Sequence, residues 1–583
     1  MLAAPAGAAP VPAPATPTVT APVYDDEGRL LEAPFAPREG AAQLTEERAT
    51  TILFRHPKVR AWLDRYPPQP QTEAEYRPAT ADWEVKAWSG DAGQIVLGIV
   101  DDATGTVREA WTGPQVAWTM ARGGSGAFGG RTINTPWVWL AFCGAFLLGL
   151  ADLRRLRSLR NLDLLVLLSF TVSLRFFNEG EIFRSVPLAY PPLAYLLVRC
   201  LWIARRDRAP RTAAPVWPVW LLAAAAVFLA GFRVGLNVEA PRSVIDVGFA
   251  GVVGAQRIVN GQIPYGNMPQ QGNLEPCGPA DANGEIRERI QTNGRCEASN
   301  ARGDTYGPVS YLAYVPGYLG FGWTGEWDEL WAAHATSIGF DALCLLGLAF
   351  VGRRFGGNRL GATLAFAWAA YPFTLYASNS NTNDSIMPAF LIWGFWLASS
   401  GWARGAALAL AGWTKFAALL LGPLWLAYPH ALRLRAPRAS LARFAGGFVL
   451  ATVASFAILL LEPSPVEAAR AFADRTFGFQ LGRESPFSLW GWGQYHAAGI
   501  PDLQPVQRVL QVLLVVGAVA SAFFPRRRSP LRLAALTAAL LLGFQLALTH
   551  WFYLYIPWFF PFVAFAVLAG GAVRDAARVN PVH

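Results

Sequence analysis

Charge is scarce in this chain. Asp, Glu, Lys and Arg make up 15% of 583 residues, against 53% hydrophobic residues. That balance places the chain in a membrane and excludes an ordinary water-soluble globule. Cysteine is scarce too, with five in all. Cys143, Cys200 and Cys344 fall within apolar runs and read as small hydrophobes. Cys277 and Cys296 fall in a Gly/Asn/Pro-rich interval, where an oxidising exterior permits a bridge. Two free thiols are the alternative there. No acidic cluster demands a metal, so a metal-independent, cofactor-free chemistry is expected. No convincing internal repeat is present, which speaks against a secondary transporter. The opening MLAAPAGAAP lacks the charged start and apolar core of a secretory signal, so a start further upstream is expected.

What is abundant is long apolar runs, each near the roughly 20 residues needed to cross hydrocarbon. They cover Pro136–Leu153, Leu162–Phe177, Pro187–Ala204, Val216–Gly235, Leu330–Val351, Leu360–Ala377, Ile386–Ser400, Ala445–Leu461, Val506–Phe524, Leu531–His550 and Trp551–Gly570. That is too many for a signal anchor. The net charge of +9 comes from Arg clusters in short loops, so it calls for no nucleic acid. Leu153–Arg160, Arg205–Arg211, Arg353-Arg354, Arg433–Arg443 and Pro525–Arg528 belong on the cytoplasmic side by the positive-inside bias. Alternating spans then put the N-terminal 130 residues outside, with Asn237–Glu329, Ser378–Ser385 and Glu462–Pro505. The C-terminus falls inside. The setting is a bacterial-type plasma membrane.

One interval resists this alternation. Arg404 and the Arg433–Arg443 cluster both belong inside, yet apolar Ala406–Pro429 lies between them. A re-entrant pair of half-helices bending near Trp413-Thr-Lys415 satisfies both, because bent backbone at membrane depth is tolerated where protein or a water-filled cavity surrounds it. One ordinary span beside a miscounted neighbour is the alternative.

The N-terminal part divides into an Ala/Pro-rich segment, 1–40, expected to be disordered, and a folded segment, 41–130. Thr45–Tyr66 reads as a helix, and Trp83–Trp88, Ile95–Val100 and Val107–Trp111 alternate like strands, with a hairpin turn at Asp101–Gly105. Asp101 and Asp102 read as turn residues rather than metal ligands. This pattern, ending VDDATGTVREAWTGPQVAWTMARG, resembles a PepSY-type domain, a family associated with binding or inhibition outside the cell rather than a defined chemistry. No nucleophile–base set lies in it. Additional helices follow over 135–215, and a catalytic membrane region is expected over 216–575, with large outer loops at 237–329 and 462–505.

The chemistry-bearing groups gather on the outer side of this topology. Asp246 sits just beyond the apolar run Val216–Gly235 and opens an amphipathic stretch ending Gly-Gln-Ile-Pro-Tyr265-Gly. Asp304-Thr-Tyr306 precedes a second such stretch. Asn379, Asn381, Asn383 and Asp384 crowd one helix end. Gln480 and Arg483 lie in an aromatic loop with Trp490 and Trp492, and His550 and Tyr553 lie at an outer turn. Lys415 reaches that side from the re-entrant bend. A sugar carried on a polyprenyl phosphate makes sense of the set. Its leaving phosphate departs without protonation, so one general base suffices where a glycosidase needs two carboxylates. Asp246 is the candidate base, with His550 assisting the acceptor or touching the phosphate. Lys415 and Arg483 are candidates for holding the phosphate. Tyr265, Tyr306, the three asparagines, Asp384, Gln480 and Tyr553 are candidates for the sugar and acceptor, and Trp490 and Trp492 for stacking.

Other readings stay open residue by residue. Asp246 and Asp384 also suit helix caps. Lys415 also suits snorkelling to headgroups, Arg483 suits pairing with Glu484, and His550 suits an interfacial aromatic belt. Asp341, inside a span, is expected to bond His334 or a neighbouring helix.

Six segments in order resemble the GT-C superfamily of integral-membrane glycosyltransferases, and among them glycosyltransferase family 87, which uses polyprenyl-phosphate-mannose. They are IDVGFAGVVGAQRIVNGQIPYG, TYGPVSYLAYVPGY, SNSNTND, GWTKFAALLLGPLWL, FQLGRESPFSLW and HWFYLYIPWFFPF, within roughly Val216–Gly570. The resemblance implies a polytopic α-helical membrane fold of about eleven spans plus the re-entrant hairpin, with a small extracytoplasmic α+β domain. It implies inverting transfer from a polyprenyl-phosphate sugar, a co-substrate rather than a cofactor, to a lipid or envelope-glycan acceptor, with Asp246 as base. Two features depart from the pattern: three helices precede the one before this loop, and Val-Gly-Phe follows Asp246 where a second acid or an aromatic is usual. A transporter or flippase of envelope lipids, or a non-enzymatic assembly or sensor protein, are the alternatives.

Overall fold

A proline sets the first break in the N-terminal unit. Pro57 is tolerated at a first helical position, where its missing N–H would have had no partner. Helix α1 (Glu46–Arg55) therefore ends at His56, and α2 (Pro57–Leu63) restarts, where one helix was expected over Thr45–Tyr66. The computed structural model describes residues 42–126, 128–207, 217–268, 303–325, 330–432, 438–478 and 483–569, together with the backbone of a short strand pair, β1 (Val23–Tyr24) and β2 (Leu30–Glu32).

Four strands follow α2 as an antiparallel meander: β3 (Gln71–Arg77), β4 (Asp82–Trp88), β5 (Gln94–Asp101) and β6 (Val107–Thr112). The last three are those expected from alternation. Ala49, Leu53, Val59 and Trp62 of the helices and Val85, Ala87, Ile95 and Val96 of the sheet form a buried core. At Gly98 the helix comes so near that an added Cβ would stand 2.2 Å from Leu53 Cδ1. Asp101 is a turn residue, accepting from the Thr104 N–H and hydroxyl. Asp102 does more: it accepts from the backbone N–H groups of Gln43 (2.7 Å) and Leu44 (2.9 Å) and from the Trp83 indole (2.9 Å), tying the approach to α1 onto the sheet.

This first compact unit is Met1–Val116, and the second is Ala117–His583. The interval 117–130, expected to close the N-terminal domain, packs instead with the helical unit: Trp118 meets Phe487, and Phe128 meets Phe177 and Phe552.

Short helices α3 (Pro114–Ala117) and α4 (Arg131–Asn134) precede α5 (Pro136–Leu150), α6 (Leu159–Asn178), α7 (Ile182–Arg206) and α8 (Val219–Glu239). Next come α9 (Asp246–Val259), α10 (Pro308–Leu312), α11 (Val315–Phe321) and α12 (Trp331–Ala370). Gly357, at φ 76°, interrupts α12. Its two limbs fold back so closely that a Cβ on Gly352 would lie 2.5 Å from the Gly361 Cα. The two runs expected at Leu330–Val351 and Leu360–Ala377 are these limbs. The second ends early, because Pro372 starts α13 (Pro372–Asn379). Then follow α14 (Ile386–Trp396), α15 (Gly401–Gly412), α16 (Gly422–Leu426), α17 (Arg438–Phe456), α18 (Pro465–Ala473), α19 (Gln504–Ala520), α20 (Pro530–Leu546) and α21 (Ile556–Leu568).

The segments Ile182–Arg206, Val219–Glu239, Trp331–Ala370 and Ala439–Leu461 are long and apolar enough to cross a membrane, and mark the chain as a membrane protein. Shorter apolar helices accompany them, among them Pro136–Leu150, Gln504–Ala520 and Pro530–Leu546. Buried ion pairs knit these helices together. Asp163 of α6 receives Arg199 of α7 at 3.0 Å and the Tyr195 hydroxyl at 2.8 Å. Asp341 of α12 receives Arg233 of α8 at 2.5 and 3.1 Å, and the Trp368 indole at 2.8 Å. So Asp341 bonds a neighbouring helix, whereas His334 bonds Asn237 and the Pro241 carbonyl.

The interval 406–429 turns back on itself. Arg404, near the start of α15, donates to the carbonyls of Trp425 (3.1 Å) and Tyr428 (2.9 Å), beside and beyond the end of α16. The start and the return therefore meet at one place. Small residues let α15 and α17 cross closely: a Cβ on Gly405 would stand 2.1 Å from the Phe444 carbonyl, and one on Gly447 would stand 2.1 Å from the Trp402 carbonyl. Basic residues gather at that end of the unit. Arg354 reaches Trp396 and Ser399, Arg528 reaches Ala427, and Arg532 reaches Ala204 and Asp207.

Candidate functional site

At the far tip of the hairpin, α15 stops at Gly412 and a 3-10 turn begins at Phe416. Eleven residues of nearly helical chain separate Lys415 from Arg404, about 17 Å at 1.5 Å per residue. The carbonyls of Trp413 and Thr414 have left the helix ladder and need donors. Val309 N–H supplies one (3.2 Å) and the Ser310 hydroxyl the other (3.0 Å). Gly307 makes this clamp possible, since a Cβ there would stand 2.1 Å from the Trp413 carbonyl oxygen. The segment beginning Thr305-Tyr306 thus fixes the bend that presents Lys415.

The ammonium of Lys415 lies 3.2 Å from Asp384 Oδ1. Tyr306, Trp558 and Tyr555 surround it, with ring centroids at 4.3, 5.6 and 5.8 Å. Asp384 also accepts from the Trp558 indole (3.1 Å) and the Thr382 hydroxyl (2.6 Å). This carboxylate is therefore a positioner of Lys415, buried behind it, and neither a cap for α14 nor a residue on the cavity surface.

Arg483 and His550 form a second polar pair. An arginine nitrogen only donates, so the 3.3 Å contact from Arg483 Nη2 makes His550 Nε2 an acceptor. The ring proton then sits on Nδ1, which lies 2.8 Å from Ser485 Oγ. In this arrangement the imidazole is neutral and orients Arg483. The face of Trp118 lies 5.8 Å from the guanidinium carbon and 5.8 Å from the His550 ring.

Lys415, Arg483 and His550 border one cavity of ≈570 Å³. Tyr306, Thr414, Lys415, Arg483, Thr549 and His550 give it a polar, cationic part. Phe416, Leu420, Phe477, Leu514, Val515, Phe544 and Leu548 give it apolar walls between the hairpin and helices α19 and α20. Val515, one of the residues lining this cavity, is 55% exposed, and Val512, Val516 and Val519 of the same helix are exposed as well.

Asp246 is the first residue of α9, with Ile245 rather than Asp246 at the cap position, and its Oδ1 accepts from the Val247 N–H at 2.9 Å. The carboxylate is close enough to act electrostatically on Lys415, Tyr306 and Tyr555. It therefore stands beside the cationic part of the cavity without lining it.

Other expected site residues lie apart from the cavity. Asn381 is fully buried at φ 51° and ties Asn237 to the Ser243 carbonyl. Asn383 donates to Ser310, behind the bend. Asn379 is buried beside Ser243, whose hydroxyl bonds the Asn379 carbonyl. None of the three lines the cavity; the side chains of Asn381 and Asn383 bond inside the protein, whereas the buried Asn379 amide has no hydrogen-bond partner among the described residues. The Tyr265 hydroxyl bonds the Tyr306 carbonyl, and that of Tyr553 meets Ser173 and Ser185. Trp490 and Trp492 donate to Leu546 and Pro486 carbonyls. Cys277, Cys296 and Gln480 lie outside the described residues. Among the described residues no cluster of three His, Cys, Asp or Glu side chains could hold a metal.

Three aromatic contributors escaped the sequence reading. Tyr555 and Trp558 stack at 4.3 Å beside Lys415, and their i, i+3 spacing at a helix start was the available signal. Trp118 gave no signal, since nothing in its neighbourhood points to residues more than 360 positions away. No protein-family model matches this chain, and no curated protein matches it at a significant level of similarity.

Proposed function

We propose that the chain is an inverting glycosyltransferase of GT-C type, moving a sugar from a polyprenyl phosphate to a hydroxyl of a lipid or envelope-glycan acceptor on the outer face. One observation carries the proposal: a single cavity joins two cations, Lys415 and Arg483, to apolar walls that include Val515 on the exposed helix α19. A phosphate on an isoprenoid has that polarity. Its volume is within the range of about 300–1,000 Å³ usual for ligand sites, enough for the head and first units of such a lipid. The remaining chain would follow Val512, Val516 and Val519, which face outward on α19.

In the proposed reaction the acceptor oxygen attacks the anomeric carbon from the face opposite the phosphate. The bond from that carbon to the phosphate oxygen breaks, and its electron pair leaves with the polyprenyl phosphate. Asp246 takes the acceptor's proton. Lys415 and Arg483 stabilise the charge that grows on the departing phosphate, and already-placed donors in a dry site do this without reorganisation. The N-terminal unit, two helices on a four-stranded sheet, we read as a PepSY-like binding module.

The test uses purified full-length protein in proteoliposomes with radiolabelled sugar on polyprenyl phosphate. Wild type should discharge the donor, and Lys415→Met should bind it weakly and discharge it slowly. Donor left intact by wild type with a range of envelope-lipid acceptors, or equal discharge by both proteins, would refute the proposal. Equal movement of intact donor lipid across the bilayer by both proteins would favour the flippase reading.

A further inference from the structure

Arg483 lies in a stretch with no regular secondary structure. No ladder of backbone hydrogen bonds fixes its side chain, so neighbours must. One is His550, which accepts from Nη2 at 3.3 Å. Another is the face of Trp118, 5.8 Å from the guanidinium carbon. Neither contact cancels the arginine's charge: one partner is a neutral acceptor and the other a π-face. Both restrict where the guanidinium points, and Arg483 lines the cavity.

Trp118 is itself held. Its ring meets Phe487 edge-on at 5.5 Å, and Phe487 meets the His550 ring at 5.6 Å. Phe487 further packs on Phe177 of α6. Trp118, Phe487 and His550 thus form a packed triangle under Arg483, anchored to the helical unit. Trp118 follows the end of the first unit, Val116, by two residues. The side chain therefore comes from the short stretch between the N-terminal unit and the first long helix, outside the 216–575 region expected to carry the chemistry.

We infer that Trp118 is a positioning residue of the donor site, its π-face holding the Arg483 guanidinium ready for the phosphate of a lipid-linked sugar. The inference rests on the donor reading proposed above. A cation presented by a loop loses affinity when its packing is removed, because the ligand must then order it. A cation–π contact at a desolvated site corresponds to a change of about three- to thirty-fold in a dissociation constant.

The experiment measures binding of undecaprenyl phosphate to the full-length protein in phosphatidylcholine nanodiscs. Trp118→Phe keeps a π-face and should bind within about threefold of wild type, while Trp118→Leu keeps apolar bulk without the face and should bind about three- to thirty-fold more weakly. Site-specific fluorinated tryptophans at 118 hold the shape constant and drain the ring's negative face, so they decide the matter even if the leucine variant does not fold. Affinity should fall as fluorines are added. Equal binding by the phenylalanine and leucine variants, or by the whole fluorinated series, overturns the inference while leaving the donor reading standing. Failure of wild type to bind the lipid overturns the donor reading and this inference together.

Discussion

Two buried cation–carboxylate pairs inside the helical unit differ in everything but their chemistry. Arg233 meets Asp341 as a fork, with Nε at 3.1 Å and Nη2 at 2.5 Å on separate oxygens, and sends Nη1 to the Thr374 hydroxyl at 3.0 Å. Its donors are spent on protein, and Asp341 is closed by the Trp368 indole. Lys415 instead gives Asp384 one contact at 3.2 Å and faces a cavity among three aromatic rings. A charge inside a membrane domain is often read as a functional mark. These two show that pairing and burial alone do not make one. What separates them is where the remaining donors point. A guanidinium fork suits a permanent joint, whereas an ammonium on a flexible stem can be shared with a ligand.

Breaking the joint should have the largest effect. Arg233→Met leaves Asp341 buried without its cation, and loss of a partner of this kind costs about 3–5 kcal/mol. The variant should show a clearly lowered thermal transition in detergent, and Arg233→Met with Asp341→Leu should recover much of it. An unmoved transition in the single variant would remove the structural half of the comparison. The matching change, Lys415→Met, should lower sugar transfer about 100-fold or more. Its transition should shift less than that of the arginine variant, because Asp384 keeps two neutral donors, the Trp558 indole and the Thr382 hydroxyl, where Asp341 keeps the Trp368 indole. If instead Lys415→Met unfolds the protein as readily as Arg233→Met, the two pairs are alike and the distinction fails.

A subtler change reaches Lys415 through its support. Gly307→Ala would press a methyl against the Trp413 carbonyl, and overpacking of this sort costs about 1–3 kcal/mol. Transfer should fall about tenfold, with weaker donor binding, and unchanged binding would mean that the bend does not set the cation's place. The smallest effect lies in the N-terminal unit, where the Asp102 carboxylate has no cationic partner among the described residues. Burial by itself raises the Asp102 carboxyl, but the Leu44 and Gln43 N–H groups and the Trp83 indole outweigh it and hold it below its usual value. Its contribution to stability is therefore complete above the unfolded value of about 3.9, and fades as pH falls through the lower folded value. Protection of the α1 amides in the full chain, taken relative to their intrinsic exchange rates, should fall below about pH 4 in wild type. In Asp102→Asn that protection should be lower throughout and nearly flat with pH there, and a wild-type-like profile in that variant would argue against the assignment.

Much of the helical frame was legible because apolar length is a local signal. The chain turns back between α15 and the 3-10 turn at Phe416, near the bend expected at Trp413-Thr-Lys415. Strand β3 was hidden because Gln71–Arg77 sets only Thr72, Ala74 and Tyr76 against a wholly polar face, a weak apolar pattern for an edge strand. At the site, residue type without partner was misleading. Asn379, Asn381 and Asn383 look like a row of sugar-binding amides, but the buried turn between α13 and α14 uses Asn381 and Asn383 to bind its own neighbours. Asp384 looked like a ligand contact or a cap, and only the fold brings Lys415 to it across 31 positions. The role of Trp118 depends on Arg483 and His550 arriving from the other end of the chain. No local pattern encodes such meetings.

We propose that Asp246, beside the cavity rather than in its lining, supplies the base for a donor held by Lys415 and Arg483. Parallel measurement of polyprenyl-phosphate-sugar binding and sugar transfer in Asp246→Asn tests it most directly. The account predicts binding equal to wild type with transfer reduced about 100- to 10,000-fold, the span a general base supplies. Transfer at the wild-type rate by the asparagine variant would contradict it.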